Sequence, residues 1–141
     1  MNRADLQQLA DDRIRDAKSL LDAERWSGAY YVSGYAVECG LKSCILAYIE
    51  KSGAGVIFTE RNFQASCWSH ELEKLLKQAS LETELQTAIR DNAVLQGFWG
   101  LVTRWKENSR YEQRSRADAK SLYEAIADTN NGVLQWLRKH W

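Results

Sequence analysis

The sequence predicts an all-α fold, an antiparallel bundle of about five helices in a single domain spanning residues 1–141. Apolar residues recur at three- and four-residue spacing through most of the chain, and no strand-like alternation appears. Proline, which breaks helix interiors and is common in turns, is absent. The 141 residues, 45% hydrophobic and 27% charged, suit one packed core, since compact domains usually run about 100–150 residues.

Residues 3–24 read as a first amphipathic helix, with Leu6, Leu9, Ile14, Ala17, Leu20 and Leu21 on one stripe. Arg25-Trp26-Ser27-Gly28 breaks the pattern, and Ser27 is expected to cap a second helix over residues 28–51. That helix is apolar nearly all round, which marks a segment buried on several sides. Its small residues, Gly40 among them, form a low ridge for close helix approach. Residues 52–68 are the longest irregular stretch. Ser69 is expected to cap a third helix that stops near Ser80, with Leu72, Leu75 and Leu76 inward. A fourth helical region runs from about Leu81 to Trp105 with an interruption around Asp91-Asn92. Residues 106–114 form a polar connection, and Ser115 caps a last helix to about residue 139. Asn130-Asn131-Gly132 is the place where that helix can kink or split.

Charge and cysteine usage narrow the function classes. With 19 basic and 19 acidic residues, the chain has no net field for wrapping a polyanion, although a local basic patch is still allowed. The three cysteines, Cys39, Cys44 and Cys67, include no CxxC pair, so neither a disulfide framework nor a zinc site is expected. A reducing cytoplasm is the natural setting. The first residues, MNRADLQQLADDR, are polar where a signal peptide is apolar. The most apolar stretch carries Glu38 and Lys42, which excludes a membrane span there. No cofactor or metal is expected.

Glu38 and Lys42 stand four residues apart on an otherwise apolar helix. A buried charge needs a partner, and Arg110 is a candidate partner for Glu38. The plainer reading is an ion pair that fixes helix register; the functional one is a cleft that receives a ligand phosphate or base. His70 can carry a proton, but its sequence neighbours offer no nucleophile and no orienting carboxylate, which favours a capping or packing role. Arg104, Lys106, Arg110, Arg114, Arg116 and Lys120 interleave with Trp99, Trp105 and Tyr111, a pattern in which cations hold phosphates and aromatics stack bases. The same charges also suit a solvated rim. Trp26, Trp68, Trp136 and Trp141 read as core or interface anchors, and the cysteines as small buried hydrophobes.

The segment Ala29-Tyr30-Tyr31-Val32-Ser33-Gly34-Tyr35-Ala36-Val37-Glu38-Cys39-Gly40-Leu41-Lys42 resembles the second-helix signature of stand-alone prokaryotic HEPN proteins. Three further pieces are similar and come in the family's order: Leu20-Leu21 running to Trp26, His70 opening a leucine-containing helix, and Trp105 preceding Arg110-Tyr111. The resemblance implies an antiparallel helical bundle that dimerises through one face and binds nucleotide or RNA. Some members are RNA-cleaving toxins paired with a small nucleotidyltransferase-like antitoxin.

Members that cut RNA resemble one another in an arginine followed, after four to six residues, by a histidine. For His70 the arginine would stand at Phe63, Gln64 or Ala65, and for His140 at Val133, Leu134 or Gln135. Neither histidine completes the motif, so no catalytic residue is carried over. The candidate ligand-binding residues are Glu38, Lys42, His70, Trp105, Arg110, Tyr111 and Arg114. The first expectation is a non-catalytic homodimer binding a nucleotide, RNA or a partner protein, with the apolar second helix motivating the dimer. The alternatives are a metal-independent ribonuclease using a displaced site, His70 with Arg110, and a purely structural partner of a nucleotidyltransferase-like protein.

Overall fold

Asn2 starts the first helix because its side chain accepts the Asp5 N–H while the Asp5 carboxylate accepts its own N–H, both at 2.9 Å. This reciprocal pair satisfies two donors that a helix start leaves free. The computed structural model describes residues 1–52 and 69–141, and among these every regular element is helical. The elements are α1 (Arg3–Asp22), α2 (Trp26–Lys51), α3 (Leu72–Gln78), α4 (Glu82–Arg90), α5 (Ala93–Thr103), a 3-10 helix (Glu107–Tyr111), α6 (Arg116–Ala127) and α7 (Val133–Arg138). The expected all-α bundle is present. No helix among the described residues is long and apolar enough to cross a membrane.

α1 buries Leu6, Ala10, Ala17 and Leu21 against α2. It ends in a left-handed residue, Glu24 at φ 59°, with the Arg25 N–H returning to the Leu20 carbonyl at 2.8 Å. Ser80 closes α3 in the same way, with the Leu81 N–H on the Leu76 carbonyl at 3.2 Å. Such helix ends usually use glycine, because an L side chain costs about 1–2 kcal/mol in that backbone region. The tight turn makes α1 and α2 antiparallel, and the Arg3–Glu50 ion pair at 3.0 Å closes their far ends.

α2 is the centre of the bundle, in contact with α1, α3, α6, α7 and the 3-10 helix. Fourteen of its residues are buried, and only Tyr48 among its large apolar side chains is exposed, at 40%. Its small residues each admit a neighbour. Gly40 lies under Leu137 and Leu134 of α7, where an added Cβ would meet methyl groups at 3.2 and 3.5 Å. Gly34 lies flat under the Trp105 ring, and a Cβ there would overlap the ring atoms. Trp105 is 1% exposed and donates its indole N–H to the Tyr31 carbonyl at 3.1 Å.

Several boundaries differ from the sequence reading. α2 starts at Trp26, and Ser27 does not cap it; the Ser27 hydroxyl instead accepts the Arg114 N–H at 2.9 Å. α3 starts at Leu72 after Glu71, and the Ser69 hydroxyl accepts the Glu71 N–H at 3.2 Å in a local turn. The 106–114 connection contains a 3-10 helix held by Ser109. Both expected interruptions occur: Asn92 caps α5, and α6 and α7 separate at Asp128–Gly132. Ser115 caps α6 by accepting the Asp118 N–H at 3.1 Å. The irregular stretch expected at 52–68, with Cys67 and Trp68, lies almost wholly outside the described residues.

Gly34→Ala is expected to destabilise the fold by about 1–3 kcal/mol in urea denaturation, the scale of overpacking a filled site. Gly28→Ala places its Cβ 3.6 Å from Leu20, an ordinary contact, and should be neutral or gain up to about 1 kcal/mol of helix propensity. Equal stability of the two variants would contradict the Trp105 seat described above.

Candidate functional site

Glu38 carries a carboxylate into the middle of the apolar helix α2, where it is 1% exposed. Removing a charge from water is expensive unless partners compensate. Two do so on a single oxygen. Lys42, one turn on, donates to Glu38 Oε1 at 2.8 Å, and His70 Nδ1 meets the same atom at 2.9 Å from 32 residues away. The other oxygen, Oε2, is buried without a hydrogen-bond partner.

His70 stands just before α3, where Leu72, Leu75 and Leu76 pin the helix to the core. An ionised carboxylate can only accept, so Nδ1 carries the proton of the Glu38 contact. That fixes the ring, with Nε2 directed at Glu107 Oε1, 3.5 Å away on the 3-10 helix. The same Glu107 oxygen lies 3.7 Å from Arg110 Nη1. Arg110 in turn sits 4.8 Å from the ring centre of Tyr111, which is 77% exposed. A chain of polar and charged side chains thus runs from the core to the surface: Lys42, Glu38, His70, Glu107, Arg110.

Beside His70 opens a cleft of about 630 Å³ whose walls include Ser69, Lys74, Gln78, Lys106, Glu107 and Asn108. The recess is wide and largely open to solvent, and its volume lies within the roughly 300–1,000 Å³ of small-molecule sites. Gln78 Oε1 is a buried acceptor without a partner on this wall. The lining balances two lysines, Lys74 and Lys106, against two carboxylates, Glu71 and Glu107, with Lys74 3.4 Å from Glu71, and adds the imidazole and several amide and hydroxyl groups, so the cleft is polar with no net excess of cations.

Of the residues named from the sequence, the structure brings together Glu38, Lys42 and His70, and adds Arg110 and Tyr111 through Glu107. Two expectations are corrected. Arg110 does not pair with Glu38, because the helical neighbour Lys42 and the His70 ring occupy its accessible oxygen, and Arg110 stays at the surface. His70 does have an orienting carboxylate, supplied by a residue distant in sequence. Trp105 is buried against Gly34 and cannot stack a base. Arg114 lies elsewhere, its guanidinium 4.2 Å from the Tyr30 ring centre and paired with Glu112.

Glu107, Lys74 and Gln78 were not legible as site residues, since nothing local in the sequence sets them apart from a solvated rim. His140 packs on Trp136 at 4.7 Å, and burial pushes its pKa below the usual 6.5. The described cysteines are inert: burial raises Cys39 to about 11 and Cys44 to about 12, far above the range of a reactive thiolate. Among the described residues no cluster of three or more His, Cys, Asp or Glu side chains is arranged to hold a metal.

No family model, no curated protein and no solved structure matches the chain.

Glu38→Ala strands Lys42 and frees His70, so it is expected to cost about 3–5 kcal/mol in thermal or urea unfolding, the scale for breaking a buried ion pair. A loss below about 1 kcal/mol, the range of a surface pair, would show that Glu38 does not hold the site together.

Proposed function

We propose that this chain is a HEPN-like, non-catalytic homodimer that binds a nucleotide or RNA through the His70 cleft. The observation that carries the reading is Glu107: one carboxylate oxygen faces both His70 Nε2 and Arg110 Nη1. A metal-free ribonuclease needs its imidazole nitrogen and its arginine directed at the scissile phosphate. Here each faces a carboxylate, while Lys106 on the cleft wall, and Lys74 in an exposed pair with Glu71 that a phosphate can replace, supply the cations for a phosphate. The resemblance in the second helix, around His70 and at Arg110-Tyr111 supports the family reading, because five of those residues, Glu38, Lys42, His70, Arg110 and Tyr111, gather at this site.

The dimer belongs to the same proposal, but α2 no longer motivates it, being covered by the chain's own helices. Among the described residues, α5 carries an uncovered face where Val94 is 49% exposed and Gly97 and Gly100 look onto open space. Two helix-interior glycines cost roughly 1 kcal/mol each, which a close-packed twin would offset. A nucleotidyltransferase-like partner protein and a cytoplasmic setting complete the proposal.

A second reading is a ribonuclease with His70 as the base, and the Glu38–His70 contact favours it, because a buried carboxylate orients the imidazole as in acid–base catalysis. Structured RNA incubated with the purified protein separates the two. The expected outcome is binding without cleavage, weakened about tenfold by Lys74→Glu as one phosphate contact is reversed. Cleavage that disappears in His70→Ala would replace the first reading with the second.

A further inference from the structure

The imidazole of His70 stands between two carboxylates that meet it on opposite nitrogens. Glu38 Oε1 lies 2.9 Å from Nδ1, and Glu107 Oε1 lies 3.5 Å from Nε2. The first contact joins the ring to α2; the second faces the 3-10 helix across the cleft. They differ in kind. Glu38 is 1% exposed, so its oxygen cannot turn to water, and it keeps a proton on Nδ1 whether the ring is neutral or charged. The opposite tautomer would set a bare Nδ1 against a buried carboxylate and is thereby excluded. Nε2 is left with two states. In the neutral ring it carries a lone pair that repels the Glu107 oxygen, and in the imidazolium it carries a proton that Glu107 can accept.

The 3.5 Å separation lies beyond the range of about 2.7–3.2 Å in which N–H donors bond oxygen. A charge-assisted bond would draw the pair in to about 2.7–2.9 Å, so the two sides of the cleft are poised and not yet joined. The His70 and Glu107 side chains are 36% and 38% exposed, which lets water deliver the proton. The backbone on either side of Glu107 is anchored. Trp105 is buried under its bond to the Tyr31 carbonyl, and the buried Ser109 hydroxyl accepts the Lys106 N–H at 3.2 Å. Motion is thereby confined to Glu107 and its immediate neighbours on the cleft wall.

The surrounding charges set its direction. Glu38 and Glu107 both favour the imidazolium. Lys42 opposes it but shares Glu38 Oε1 at 2.8 Å, and Arg110 opposes it from beyond Glu107, 3.7 Å from the same Oε1. In the cleft lining Lys74 is paired with Glu71 at 3.4 Å, which leaves Lys106 without an ion pair among the described residues.

We propose that His70 is a proton-operated clasp: its imidazolium ties Glu107 to the turn before α3 and narrows the cleft, and the neutral ring releases Glu107 to Arg110 and opens it. An imidazole ordinarily changes charge between about pH 5 and 8, so the cleft is narrow toward the acid side of that range and open toward the alkaline side. The clasp does not depend on what the cleft binds, since every group in it belongs to this chain.

The test follows the His70 ring nitrogens and the backbone amides of Asn108 and Ser109 by nuclear magnetic resonance, on the full chain, from about pH 5 to pH 8. The amides are expected to move in step with Nε2 while Nδ1 keeps its proton throughout. Glu107→Gln removes the negative charge, and its side-chain amide can donate to a bare Nε2, so the amide movement should be lost while the ring still gains its proton. His70→Asn keeps a donor for Glu38 and has no proton to gain, so the movement should be lost there too. Asn108 and Ser109 amides that ignore the His70 ring, or that move equally in Glu107→Gln, would overturn the clasp. Movement that persists in His70→Asn would assign it to another group, His140 included, and overturn it as well. Should that variant fail to fold, Glu107→Gln decides alone, because it alters only a side chain at the surface.

Discussion

One carboxylate organises this molecule. Glu38 is almost wholly buried in a helix that is otherwise apolar on every side, and an unpaired charge there would oppose folding. Its compensation comes from two places. Lys42 is local and follows from helical spacing alone, whereas His70 has to be delivered by α3 and its preceding turn. Forming the Glu38–His70 contact therefore docks the second part of the chain against the first. The docked imidazole then presents its remaining nitrogen to Glu107 and so places the cleft wall. Core energetics and site geometry meet in the same atom, Oε1.

A second constraint sets the height of the 3-10 helix. Gly34 lets the Trp105 ring lie on the α2 backbone, and the indole N–H anchors it to the Tyr31 carbonyl. Trp105 immediately precedes Lys106 and Glu107, so the depth of that ring decides how near Glu107 comes to His70. The clamp also separates two recesses. One faces His70, Lys74 and Lys106; the other faces Tyr30, Arg104 and Arg114. The chain from 104 to 114 serves both, which explains why a single basic and aromatic stretch in the sequence divides between two places in space.

The fold was largely legible because it depends on periodicity and on local chemistry. The all-round apolar character of α2 marked it as central, and Ser115, Asn92 and the Asn130-Asn131-Gly132 break act through hydrogen bonds or backbone freedom within a few residues. Helix starts at Ser27 and Ser69 were misread for a common reason. A serine before a helix has a choice of partners, and here tertiary contact gives Ser27 to Arg114, while the chain near Ser69 turns locally. The site was half legible. Glu38 and Lys42 stood out as charges in an apolar run, but the third partner could not be chosen from sequence. The sequence suggests Arg110 for that place, whereas the packing of α3 on the core delivers His70 to it. Trp105 and Arg114 carried the right residue types for a ligand surface, yet burial and a neighbouring tyrosine give them other work.

The most direct measurement of this account is the protonation pattern of the His70 ring, read from its two nitrogen-15 shifts in the folded protein at neutral pH. A proton on Nδ1 is predicted, since the buried Glu38 oxygen 2.9 Å away can only accept it. A bare Nδ1 would mean that Glu38 does not hold the imidazole, and the placement of the cleft would have to be explained by something else.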